Sequence, residues 1–179
     1  GVIASPASAN ELESRYFYWG IGWASFSYPA EIQRVVDDVK GLGLDNISLT
    51  LDLLGFYWPR GDQMLLGFVL NASGDRFEEG SDYFQINSYL PSLSGMFFFN
   101  NKIGKGPFCR VDVGPTRLNL NSSLQSTVNS EWGVGVLLGG GVAFPVSSGS
   151  RLLANVNYTV RKTEGDSIKI LGVSVGGLF

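Results

Sequence analysis

EWGVGVLLGGGVAFPVSSGSRLLANVNYTVR, residues 131–161, reads as two strands joined by the turn Pro145-Val146-Ser147-Ser148-Gly149. On the first strand Trp132, Val134, Val136, Leu138, Gly140, Val142 and Phe144 share one face, and Gly133, Gly135, Leu137, Gly139, Gly141 and Ala143 share the other. On the second, Leu152, Ala154, Val156, Tyr158 and Val160 alternate with Arg151, Leu153, Asn155, Asn157, Thr159 and Arg161. A period of two puts each set on its own side of a sheet. One side is apolar with aromatics near its ends; the other is small or polar. A soluble sheet buries such an apolar side, whereas a membrane-spanning barrel turns it to lipid and fills its inside with the small and polar set. The hairpin alone admits both.

Outward from it, the same alternation recurs. A first strand over 15–26 sets Phe17, Trp19, Ile21 and Trp23 against Tyr16, Tyr18, Gly20, Gly22 and Ala24. Pro29 and Glu31 then suit a helix start, and Ile32, Val35, Val36 and Val39 keep helical spacing up to Lys40-Gly41. That amphipathic helix either packs on the neighbouring sheet or offers its apolar face to a partner. The second strand, 44–57, sets Ile47, Leu49, Leu51, Leu53 and Tyr57 against Asn46, Ser48, Thr50, Asp52 and Leu54. The third covers 63–73, and a polar connection, 74–81, leads to a fourth over 82–100 in which Pro91 predicts a bulge or bend. The fifth, 108–114, places Arg110 and Asp112 on one face, and a polar loop is expected over 115–130. The opening hairpin follows as the sixth and seventh strands, and an eighth, 167–179, puts Leu171, Val173, Val175, Gly177 and Phe179 on one side. Eight strands with hairpin connections and no crossover helix predict an all-β, up-and-down antiparallel barrel. Connections after strands one, three and five are longer than those after two, four and six, with the short one after strand seven as the exception, which is the asymmetry of transmembrane barrels.

Composition narrows the function. The chain of 179 residues carries 24 glycines, 13% aromatic and only 16% charged residues, with a formal net charge of −3. That balance argues against a nucleic-acid partner. There is no histidine, which removes the usual general base and the commonest transition-metal ligand, and no cofactor is expected. The single cysteine, Cys109, reads as a small apolar residue. Residues 1–14 read as a flexible tail before a barrel over 15–179; Gly1 to Ala9 suits either the edge of a signal peptide or an unstructured mature start.

With its eight alternating strands, the run Gly-Gly-Gly-Val-Ala-Phe-Pro-Val at 139–146 and a last strand ending on Phe179, the chain resembles the small Gram-negative outer-membrane β-barrels of the OmpA, OmpX and OmpW type. The resemblance implies an outer-membrane location in contact with lipid and lipopolysaccharide. It also implies recognition of Leu171, Val173, Val175 and Phe179 by the barrel-assembly machinery, with Gly177 as a departure. Enzymes of that family depend on a histidine this chain lacks, so a structural or interaction role is expected and no catalysis. Asp52, Arg110, Asp112, Arg151 and Arg161 fall on inward faces as a polar network that either plugs the lumen or lines a path. Trp19, Trp23, Tyr57, Trp132, Phe144 and Tyr158 fit aromatic girdles at the two bilayer interfaces. Asp75, Glu78, Glu79 and Asp82 read as an acidic outer loop, solvated or holding a divalent cation. Two alternatives stay open: a narrow conduit or binding site for a small apolar molecule, with room beside Gly20, Gly22, Gly135 and Gly139, and a soluble lipocalin-like ligand binder.

Overall fold

A computed structural model of the protein describes residues 13–41, 45–79, 82–123, 127–163 and 166–179. In chain order the elements are β1 (Tyr16–Ser27), α1 (Ala30–Gly41), β2 (Asp45–Arg60), β3 (Met64–Glu79), β4 (Asp82–Phe98), β5 (Gly106–Ser122), β6 (Val128–Asn129), β7 (Gly133–Pro145), β8 (Arg151–Thr163) and β9 (Asp166–Leu178). Neighbours pair antiparallel from β1 to β5, then β5 with β7, β7 with β8 and β8 with β9; β9 returns to β1 and closes the cylinder. The two-residue β6 lies against the far end of β5 as a flap outside the eight barrel strands. The seam is finished by two backbone bonds, Phe17 N–H to the Phe179 carbonyl at 2.8 Å and Phe179 N–H to the Phe17 carbonyl at 2.9 Å.

The side chains are sorted as in a membrane barrel. Phe17, Trp19, Ile21 and Trp23 are exposed on the outside of β1, while Tyr16 and Tyr18 are buried inside. The apolar belt runs from Leu152 to Val160 on β8 and from Leu171 to Phe179 on β9. That length matches the roughly 9–11 residues with which a tilted strand crosses a bilayer. Among the described residues, no charged side chain points outward within the belt. A water-facing exterior would leave the apolar side chains of all eight strands hydrated, so lipid is the solvent this surface fits.

Three readings of the sequence are corrected. Tyr57 is not on the outside: it is 0% exposed in the lumen. Leu54 adopts φ 51°, and the β2–β3 register slips between Leu53 and Phe56. This bulge adds one residue to β2, so Phe56 and Trp58 turn to lipid and Tyr57 turns in. The polar connection after the third strand is strand: β3 continues to Glu79 and β4 starts at Asp82. The loop expected over 115–130 is strand as far as Ser122. Pro115 does not end β5, because it pairs with Val134 of β7 at a place where β4 and β5 interrupt their own pairing, between Tyr89↔Arg117 and Leu93↔Val113. A proline is tolerated where no ladder bond needs its missing N–H. Pro91 sits in the same interruption, where a bend was expected. The asymmetry of the barrel therefore lies in strands that project past the belt at the helix end. The opposite end carries the tight turns near Gly61 and Ser147–Ser150.

Candidate functional site

Among the described residues, the lumen holds a buried polar cluster between two apolar layers. In its middle, Arg110 of β5 meets two carboxylates: Nη1 donates to Asp52 Oδ2 at 2.7 Å, Nη2 to Asp52 Oδ1 at 2.9 Å and to Asp112 Oδ2 at 2.6 Å. Arg110 and Asp112 lie two apart on one strand and so share a face, while Asp52 reaches in from β2. Around them, Tyr18 donates its hydroxyl to Asp52 at 3.2 Å, Asn71 Nδ2 donates to Asp52 at 2.9 Å, and Ser94 donates to Asp112. Tyr57 donates to Ser94 at 2.7 Å, and Asn155 donates to the Tyr18 hydroxyl at 3.0 Å. The Arg110 guanidinium also lies 5.4 Å from the Tyr18 ring centre. Asp52, Arg110 and Asp112 are each met by an opposite charge and by hydrogen bonds, the condition under which buried ions are tolerated.

The five inward charges foreseen from the alternation divide. Asp52, Arg110 and Asp112 form the clamp. Arg161 joins it through Asn71, to whose side-chain oxygen it donates, and bonds Ser73 at 3.3 Å; its Nε and Nη1 are buried without a partner. Arg151 does not join. It lies at the turn end, over the Tyr16 ring at 5.3 Å and 3.6 Å from the Glu13 carboxylate. Tyr18, Tyr57, Asn71, Ser94 and Asn155 were not singled out as members. Tyr18, Asn71 and Asn155 sit on faces the alternation assigns inward, so their polarity was the available signal; Ser94 lies on the irregular fourth strand, to which the alternation assigns no faces, and Tyr57 was hidden by the bulge.

Apolar layers close the clamp at both ends. Towards the turns lie Leu65, Met96, Phe98, Phe108, Leu153 and Leu178; towards the helix lie Val36, Phe77, Ile86, Leu118, Ile168 and Ile170. The glycines expected to leave a path do not. A Cβ on Gly20 would sit 2.9 Å from the Tyr18 hydroxyl oxygen, on Gly22 2.1 Å from the Val173 carbonyl oxygen, on Gly135 2.7 Å from Leu90 and on Gly139 2.1 Å from Asn157. The space beside them is used by neighbours rather than left open.

Helix α1 is the lid of the upper layer. Val36 is 0% exposed and Ile32 packs beside it, so this part of the candidate partner face is engaged within the molecule; Val35 stays exposed, and the Val39 side chain lies outside the described residues. Tyr28, just before the helix, donates to Asp75 Oδ2 at 2.8 Å, while Asn46 and Ser48 donate to Asp75 Oδ1 at 2.7 and 2.6 Å. Burial, then the Asp75 charge, holds the Tyr28 hydroxyl far above its ordinary value, so it remains a donor. The expected acidic loop is thereby corrected: Asp75 is an inward anchor for the lid, and Glu78 pairs with Arg76 at 2.8 Å. The side chains of Glu79 and Asp82 lie outside the described residues. Among the described residues, no three His, Cys, Asp or Glu groups come together as a metal site.

Between the lid and the projecting strands runs an apolar cleft of about 340 Å³, lined by Ile32, Val35, Phe84, Leu120 and Val128, with Glu31 and Asn121 at its edge. On the outer wall Trp19, Trp23, Trp132, Phe144 and Tyr158 are exposed, as are Leu171, Val173, Val175 and Phe179 along β9. A Cβ on Gly177 would lie 2.6 Å from the Phe179 ring and 3.1 Å from Trp19 Nε1. The two aromatics occupy the space that an apolar side chain at this step of β9 would need.

No family model and no curated protein matches the chain. Solved structures do. Neisserial surface protein A superposes with a TM-score of 0.61 at 16% identity, over 93% of this chain and 96% of that one. The attachment invasion locus protein Ail of Yersinia pestis, solved in complex with the heparin analogue sucrose octasulfate, superposes with a TM-score of 0.52 at 11% identity, over 93% of this chain and all of that one. The chain has the fold of the small eight-stranded barrels of bacterial outer membranes.

Proposed function

We propose that this protein is an integral outer-membrane barrel with an interaction role, whose lumen is structural and whose working surface is the helix end: α1, the projecting parts of β3 to β5, and β6. The observation that carries the reading is the filled interior. The Asp52–Arg110–Asp112 clamp lies between two apolar layers and takes up the room a solute would use, so the surfaces left for function are the ends. Ail, a barrel of the same fold, is described with a bound heparin analogue, which is in keeping with recognition at an exposed end. In this reading Trp19, Trp23, Trp132, Phe144 and Tyr158 anchor the belt at the interfaces, and the outward row on β9 serves recognition by the assembly machinery. The lipocalin-like alternative is set aside, because the apolar side chains it needs inside are outside.

A liposome-swelling assay tests the proposal. Vesicles carrying the folded barrel should admit small sugars no faster than empty vesicles, and uptake at a porin-like rate would sink it. The cleft favours a second reading, capture of a small apolar molecule at the helix end rather than in the lumen. An environment-sensitive alkyl naphthalene dye should bind the detergent-solubilised barrel and lose most of its signal with Leu120→Asp or Val128→Asp. Unchanged binding would retire that reading.

A further inference from the structure

We propose that the apolar cleft between α1 and the projecting strands is a binding site for an amphiphilic cation, an aliphatic chain headed by a single ammonium group, with Glu31 as the counter-charge at its mouth. This rests on the reading of the cleft as a site for a small apolar molecule and names the chemical class of that molecule.

The walls suit the chain of such a molecule. Ile32, Phe84 and Leu120 pack against the buried layer that contains Val36, Phe77 and Leu118, so the floor of the cleft is an extension of the core and is held in place by it. Val35 on the helix and Val128 on β6 also line the cleft, and they stand 51% and 54% exposed. The volume of about 340 Å³ lies at the lower end of the roughly 300–1,000 Å³ of small-molecule sites. An aliphatic chain laid against these walls takes its own surface and both valines out of water, which is the driving force for its capture.

The rim sets the charge of the head. Among the described residues, Glu31 is the one charged residue in the lining; it is exposed and makes no ion pair. Arg34, one turn further along α1, is exposed, lies outside the lining and does not pair with it, and Lys40 lies over the Phe77 ring at 5.8 Å. The side chains outside the described set that are nearest in sequence, at 39, 42–44, 79–82 and 124–126, include no cation. On the far rim Asn121 donates to Asn119 at 2.5 Å and accepts from Thr127 at 2.7 Å, so its amide is held within β5 and β6. Phe84 adds an aromatic ring to the lining, and the face of such a ring attracts a cation. An anionic head would therefore meet a like charge and no counter-ion, whereas an ammonium group is attracted by Glu31.

The test displaces an environment-sensitive alkyl naphthalene dye from the full chain, folded and held in amphipol, with octylammonium, octanol or octanoate. Octylammonium should displace the dye at a roughly fivefold lower concentration than octanol, the scale of one exposed ion pair, and octanoate should need the most. Glu31→Gln should bring octylammonium level with octanol and leave octanol where it was. Asp38→Asn, which removes an exposed carboxylate of α1 outside the lining, should change neither. On the parent protein, salt at about 1 M, where the screening length falls to about 3 Å, should erode the advantage of octylammonium, and this measurement needs no variant to fold. Octanoate as effective as octylammonium overturns the cation assignment, as does an ammonium preference that survives Glu31→Gln or is lost equally with Asp38→Asn. If the parent binds the dye and the three heads are equivalent, the cleft stands as an apolar site and the assignment of its ligand fails. If the parent binds no dye, the cleft reading falls and the assignment with it.

Discussion

Arg110 is where the energetics of single residues are sharpest. Its guanidinium is 1% exposed, and its two carboxylate partners are as deeply buried. Arg110→Gln leaves Asp112 without its ion-pair partner and Asp52 with only Arg161, reached through Asn71, and removing one partner of a buried ion pair costs about 3–5 kcal/mol. The urea midpoint of the refolded variant should fall accordingly. Adding Asp52→Asn and Asp112→Asn should recover most of that loss, because a neutral hydrogen-bonded layer no longer carries stranded charge; an equally unstable triple variant would mean that shape, not charge, sets the cost. Arg161 provides the contrast, since Asp52 is already held by Arg110 and no carboxylate depends on Arg161 alone. Arg161→Met should cost less than half as much in the same titration. The clamp was legible in the sequence because Asp52, Arg110 and Asp112 all sit on inward faces of regular strands. Its tyrosine partner on β2 was not. One residue of extra length at Leu54 inverts every later assignment on that strand, and nothing about a leucine announces a positive φ.

The elements themselves depend on two local devices. The first is that bulge. Deleting Leu54 removes the extra residue and leaves a regular alternation in which Leu53, Phe56 and Trp58 still face lipid and Gly55 and Tyr57 still face the lumen. The deletion variant should therefore keep the heat-modifiable band of the folded barrel, and loss of that band would show that the bulge itself, not only the facing of the side chains, is required. The second device is the lid. Val36→Asp puts a charge into the Phe77, Ile86 and Leu118 layer and should abolish hydrogen-exchange protection over residues 30–41 while leaving the strands of the belt protected. The lid should also respond to alkali. The Tyr28 hydroxyl is raised in the folded state, so its contribution is whole below its ordinary value of about 10 and falls away as pH climbs beyond it. Tyr28→Phe should flatten that alkaline loss of protection without removing the helix at neutral pH. The helix was readable from its spacing, but the strand extensions on either side of it were not. Beyond the belt the outer face meets water, so Gly74, Arg76 and Glu78 read as loop while Asp75 and Phe77 continue the inward row.

At the scale of the whole molecule the strand number and the hairpin order were both in the sequence, because eight alternating stretches separated by turns admit little else. The choice between inside and outside was not in any one stretch, since a lipid-facing belt and a buried core are written in the same residues. Closure decides it: once β9 meets β1, each residue has a side, and the apolar side chains are outside. A single charge can test that assignment in solution. Val156 is 54% exposed in the middle of the β8 belt, beside Gly140 and Val173. On a water-facing wall, Val156→Lys would be neutral for stability and would help solubility. On a lipid-facing wall, a lysine near the bilayer midplane costs about 2–4 kcal/mol. Refolded into phosphatidylcholine vesicles and titrated with urea, Val156→Lys should lose stability by that amount, whereas Ser167→Lys, beside Lys162 at the edge of the belt, should lose little. A depth-dependent penalty of this kind belongs to a barrel wrapped in lipid; equal stability of both variants would place the apolar wall in water and overturn the membrane assignment.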